Sequence, residues 1–220
     1  NDANNALVGN GASMVTLCYM RRYVDFLVKM IENNDQQEYL LSREVSIFMK
    51  NIAVAIEDYH GNKRAFIDAV GKAGESYRER VYSGGSCDTV MAKKADLVAI
   101  LKEANDLLTD SIRKNKREDG LYNAYNLLSF GDGTVTVEPL YQMLEGQVAV
   151  LTSFALSAEE VVELLDAMRK SDLYRADQNS YMLYPAKRLP SMLDKNNLTE
   201  EQKAVKVFKV KHTDEEAVQE

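Results

Sequence analysis

The sequence predicts an all-α domain of helical hairpins with one short β element. Three observations predict it. Apolar residues recur at steps of three and four through most of the first 170 residues, the spacing of amphipathic helices. All three prolines, Pro139, Pro185 and Pro190, lie in the last two fifths, so no proline interrupts the earlier helical pattern. Only Thr134-Val135-Thr136-Val137, after the Gly131-Asp132-Gly133 turn, carries a strand signature.

The elements follow in chain order. Residues 1–11 are polar and glycine-punctuated and read as a loop. A helix is expected from about Ala12 to Glu32, with Leu17, Met20, Val24, Leu27, Val28 and Ile31 at helical steps; the Asn33-Asn34-Asp35 cluster ends it. Ser42 is placed to cap a second helix running to about His60, whose Val45, Phe48, Met49, Ile52, Ile56 and Tyr59 form one stripe; Gly61 stops it. Asn62 caps a third helix through Ala65, Phe66, Ala69 and Val70, which Gly71 and Gly74 weaken. After a turn at Ser83–Ser86, a long helix is expected from about Thr89 to Asn115. Pro139 suits the first turn of a helix reaching Phe154, and Ser157 with Glu160 forms a capping box for the next. Residues 171–197 read as irregular, Thr199 with Gln202 as the cap of a short helix, and 206–220 as a frayed tail.

Composition excludes several classes. The 220 residues carry 27 basic and 34 acidic side chains, a net charge of −7, which disfavours nucleic-acid binding through bulk charge and a polybasic membrane surface. Nothing approaches the ~18–20 apolar residues of a membrane span. The two cysteines, Cys18 and Cys87, form no CxxC pair, which is compatible with a cytoplasmic protein. No metal-ligand spacing and no phosphate-binding glycine loop is present; Gly9-Asn10-Gly11 is too short and follows no strand. No cofactor is expected. The two histidines, His60 and His212, accompany no nucleophile motif.

Carboxylates and aromatic-amide clusters remain as candidate chemistry. Asp2 sits among Asn1, Asn4 and Asn5, amide donors just ahead of an apolar helix. Glu145 sits amid Met143, Leu144, Val148 and Val150, where a charge is costly unless partnered, with Tyr141 and Gln142 one turn before it. Tyr174, Arg175, Asp177, Gln178, Asn179, Tyr181 and Tyr184 combine rings with planar amides and charges, and so do Tyr122, Asn123, Tyr125 and Asn126. Such sets suit sugars, because rings cover C–H faces and polar groups take hydroxyls. Ordinary loop packing is the plain alternative, as a solvated tail is for Asp2 and a helix rim for Glu145.

Three patches carry a resemblance. Asn1-Asp2-Ala3-Asn4-Asn5-Ala6-Leu7-Val8-Gly9 resembles the Trp-Asn-Asp-Gly-x-Asn-x-Val-Gly segment of the cellobiose phosphorylase family. Ala149-Val150-Leu151-Thr152-Ser153, the capped helix from Ser157 and Ala167-Met168 are similar to that family's Ala-Val-Leu-Ser-Gly helix, its next helix and a closing Ala-Met. Ser180-Tyr181-Met182-Leu183-Tyr184-Pro185 is similar to its Gly-Tyr-Ile-x-x-Tyr-Pro-Pro loop. Ala3 stands for the glycine, Val148 for a tryptophan, and the family's His-Ala-x-x-Trp phosphate-contacting segment has no counterpart.

The resemblance implies an inverting glycoside hydrolase or phosphorylase acting on oligosaccharides, with residues 1–198 part of an (α/α)6 toroid and 199–220 a short helix and tail. Asp2 would be the general acid and Glu145 the base of a hydrolase. Asn1, Asn5, Tyr141, Gln142, Arg175, Asp177, Gln178, Tyr181 and Tyr184 would bind substrate. Inorganic phosphate would be the co-substrate of a phosphorylase. The start at Asn1, where the family has a preceding Trp, implies a missing N-terminal part of the same domain, so the chain alone is expected to be inactive. The rivals are a non-enzymatic helical interaction module and an inactive sugar-binding relative. The enzyme reading expects Asp2, Tyr181 and Tyr184 to meet at one end of the helices.

Overall fold

A computed structural model describes residues 11–186, 190–195 and 197–204. The chain divides into two units, Asn1–Pro185 and Ala186–Glu220. In the first unit the described elements are β1 (Gly11–Ser13), α1 (Met14–Glu32), β2 (Glu38–Ser42), α2 (Arg43–Glu57), α3 (Lys63–Tyr82), β3 (Thr89–Lys93), α4 (Lys94–Arg113), β4 (Tyr125–Gly131), β5 (Thr134–Pro139), α5 (Leu144–Thr152), α6 (Ala158–Lys170), β6 (Tyr174–Arg175) and β7 (Ser180–Tyr181). The second unit holds two short helices, α7 (Met192–Lys195) and α8 (Glu200–Ala204).

The all-α expectation is therefore wrong. Helices alternate with three small antiparallel sheets, ordered β1-β4-β5, β2-β3 and β6-β7, so the content is mixed α and β, where one short β element was expected. The predicted helix from Thr89 begins only at Lys94. Thr89–Lys93 is extended because it pairs with Glu38–Ser42, Thr89 opposite Ser42 and Lys93 opposite Glu38. That partner lies far upstream, beyond the reach of local periodicity. Pro139 starts no helix. It ends β5 opposite Asn126, on the outer strand of its sheet, where a missing N–H costs no ladder bond. Residues 171–197 are not irregular throughout, since Tyr174 pairs with Tyr181 in a two-residue ladder. Gly71 and Gly74 do not stop the third helix, which runs on to Tyr82.

The helix starts follow side-chain chemistry. Ser13, Ser42, Asn62 and Ser157 each accept the backbone N–H three residues on, and Ser157 and Glu160 complete a reciprocal box. Helix α1 packs on α4 and α5, α2 on α3, and α5 on α6. The main core gathers Cys18 of α1, Ile112 of α4, Leu121, Tyr122, Val150 of α5, Leu164 and Met168 of α6, and Leu173. A smaller cluster of Ala124, Tyr125 and Met143 joins the central strand β4 to the segment before α5. No described helix is long and apolar enough to cross a membrane.

Candidate functional site

The start of α5 meets the Tyr181–Pro185 segment, two of the stretches singled out in the sequence. Gly146 lets α5 approach the chain before β4, since a Cβ there would lie 2.9 Å from Cα of Ala124. Gln147, fully buried one residue on, locks that approach. Its Oε1 accepts from Tyr122 N at 2.8 Å, and its Nε2 donates to the carbonyls of Tyr122 and Met143, both at 2.8 Å. Two backbone groups that would otherwise be orphaned in the core are satisfied by one amide.

With the helix fixed there, Glu145 in its first turn accepts the hydroxyl of Tyr125 at 2.5 Å. Tyr125 is itself buried in β4. One carboxylate oxygen of Glu145 is thereby held on the edge of the core. The Leu144 N–H donates to the carbonyl of Leu183 at 2.8 Å, which seats the Tyr181–Pro185 segment against the helix start. The Tyr141 and Tyr184 rings then meet edge to face, with centroids 6.2 Å apart and planes at 84°. Both rings remain exposed.

Gln142 turns the other way. Its Nε2 donates to Asp119 Oδ2 at 2.7 Å, and its buried Oε1 has no hydrogen-bond partner. Burial pushes the Asp119 carboxyl up, but the Leu121 N–H, the Gln142 amide and Arg117 outweigh it and hold the group below the usual carboxylate range. Asp119 and Gln142 line a cleft of about 530 Å3 with Glu163, Asp166, Lys170 and Asp172.

The β6–β7 hairpin is a separate cluster. The Tyr174 and Tyr181 rings lie 5.3 Å apart, and the Arg169 guanidinium stacks 3.9 Å from the Tyr174 centroid. Asn179, in the left-handed region at φ 48°, accepts from Tyr174 Oη at 2.6 Å and Arg169 Nη1 at 3.2 Å. Arg175 and Asp177 pair with each other at 3.0 and 2.5 Å, and that pairing holds the Asp177 carboxyl below its ordinary value. Gln178 closes the turn, its N–H donating to the Arg175 carbonyl at 3.3 Å.

Of the sequence-predicted residues, Tyr141, Glu145 and Tyr184 gather at the α5 start. Gln142 lies on the neighbouring acidic cleft. Tyr181 is ring-packed on Tyr174, while Arg175 and Asp177 are engaged with each other. Asn1, Asp2 and Asn5 lie outside the described residues. Sequence reasoning missed the specific partner of Glu145, because Tyr125 is marked only as one of an aromatic, Asn-rich run. It also missed Asp119, whose neighbours suggest nothing more than a turn. Among the described residues no three His, Cys, Asp or Glu side chains are grouped to hold a metal ion. Burial pushes the Cys18 thiol up to about 12, leaving it protonated and unreactive at neutral pH. No protein-family model matches the chain, and no curated protein matches it.

Proposed function

We propose that this chain is the substrate-binding part of a cytoplasmic carbohydrate-active enzyme, an inverting glycoside hydrolase or phosphorylase. The observation that supports the reading is the gathering of Tyr141, Tyr184 and Glu145. Two exposed rings set edge to face offer a surface for a sugar's C–H face, and Glu145, in the first turn of the helix that follows Tyr141, offers an acceptor for its hydroxyls. The motif resemblance supplies the chemistry. Asp2 gives its proton to the glycosidic oxygen as the bond to the anomeric carbon breaks. In hydrolysis, Glu145 takes a proton from the water that attacks the opposite face, and a separation of about 6.5–9.5 Å between the two carboxyls would accommodate that water. In phosphorolysis inorganic phosphate attacks instead and no protein base is needed.

Two measurements test it. A panel of disaccharides screened against the chain by saturation-transfer NMR is expected to give binding that Tyr184→Ala removes. No binding by any member, or binding indifferent to Tyr184→Ala, overturns the sugar-site assignment. In the full-length protein, assayed with and without phosphate, Asp2→Asn is expected to lower cleavage by about 10²-fold or more. Glu145→Gln is expected to suppress hydrolysis and spare phosphorolysis. Wild-type activity in Asp2→Asn rules out the acid role.

A further inference from the structure

Helix α1 is apolar on two opposite sides. Its inner side, with Cys18, Val24 and Val28, is buried within the fold, where the helix packs on α4 and α5. On its outer side Tyr19, Tyr23, Phe26 and Met30 are each between 50 and 60% exposed. Their spacing of four, three and four residues is the a/d rhythm of a helix–helix seam, sustained over three turns. A surface helix normally turns charge outward, and a helix apolar all round is normally covered.

A second observation falls on the same edge. Phe154, the residue after the Ser153 cap of α5, has φ 60° and is 64% exposed. That conformation belongs to glycine at this position, and a bulky side chain held in it is strained. The ring gains no burial in return. It lies under the Arg22 guanidinium, 5.9 Å from the centroid, beside the α1 stripe. Strain kept at an exposed aromatic points to a use for the ring. With about 150–250 Å2 to each aromatic, the five half-exposed side chains leave on the order of 500 Å2 uncovered. That is as large as the largest patches found on monomers. Covering it removes about 1,000 Å2 from water over both partners, the size at which a specific contact becomes credible.

Charge selects the occupant. On one edge the stripe is flanked by Arg22 and Lys29, on the other by Met20 and Leu27. Lys29 pairs with Asp25 at 2.7 Å, but Arg22 has no carboxylate partner among the described residues. A second copy packed antiparallel would set the Arg22–Lys29 edge against itself, and one packed parallel would set it against Met20 and Leu27. Neither brings a carboxylate to Arg22. We infer that the outer face of α1, extended by Phe154, is a docking seam for an amphipathic α-helix of a partner protein, apolar at a/d spacing and acidic along one edge. This inference does not depend on any sugar chemistry at α5.

The test uses the full chain and a labelled three-heptad peptide with Leu at a and d and Glu at e and g, whose like charges oppose its self-pairing. Its counterpart carries Lys at e and g. By fluorescence anisotropy the Glu peptide is expected to bind in the micromolar range and the Lys peptide at least tenfold more weakly. Phe26→Asp and Tyr23→Asp, both at exposed positions, are each expected to weaken the Glu peptide at least tenfold with unchanged circular dichroism. Phe154→Gly separates docking from folding: it is expected to raise Tm while weakening the peptide severalfold. Equal binding of the two peptides, or binding indifferent to both Asp variants, overturns the inference. A dimer in sedimentation velocity that Phe26→Asp dissociates also overturns it, in favour of a second copy.

Discussion

Gln147 is a buried amide that serves backbone rather than substrate. Replacing it with Leu keeps the volume but orphans the N–H and C=O of Tyr122 inside the core. Each orphan costs about 1–3 kcal/mol, so Gln147→Leu is expected to destabilise by roughly 2–6 kcal/mol, seen as a lower urea midpoint at unchanged slope. Nothing in the sequence distinguishes this Gln from one on a helix surface. The cost of a charge at Glu145 is legible from its apolar neighbours, whereas its Tyr125 partner is not, because a twenty-residue separation has no local signature. Arg175 and Asp177 show the opposite failure. Their types suit sugar hydroxyls, but two positions apart on a tight turn they reach each other first.

At the level of elements, what depends on neighbours three or four residues away was readable. The caps at Ser42, Asn62, Ser157 and Thr199 were all expected, and each is made: Thr199 accepts from Gln202 N at 3.2 Å while Gln202 returns to Thr199 N at 3.0 Å. Ser157→Ala removes one half of the α6 box and is expected to cost about 1 kcal/mol, read as a drop in Tm without loss of helical signal. The strands were missed because pairing is not local. The β2 and β3 segments are each five residues long, run directly into a helix, and have too few alternations to compete with the helical pattern that follows. Only β5 announces itself, through the Gly131-Asp132-Gly133 turn and the Thr-Val alternation after it; its partner β4 reads merely as an aromatic, Asn-rich run.

For the molecule as a whole, acid is the expected weak point. The backbone N–H and hydroxyl of Ser86 hold the Glu44 carboxyl below its ordinary value, tying α2 to the Gly84–Ser86 loop, and Asp119 is lowered as well. A carboxyl lowered on folding adds stability above its unfolded pKa, near 4, and that stability is lost as pH falls through the folded value. Thermal melts are expected to be flat from pH 7 to about 5 and to fall below about pH 4, with Glu44→Gln shallower than wild type across the same range. A like slope in Glu44→Gln would remove that residue from the account. The order of the first sheet has a kinetic meaning too. Its middle strand, β4, takes its partners from β5 a few residues on and from β1 at the far end of the unit, where Ser13 meets Tyr125. On a ribosome, α1 emerges well before α4 and β4, with apolar residues on both flanks, and waits for them before either its strand or its inner face finds a mate. High contact order of this kind slows folding, and it makes the first helix a natural client for chaperones during synthesis.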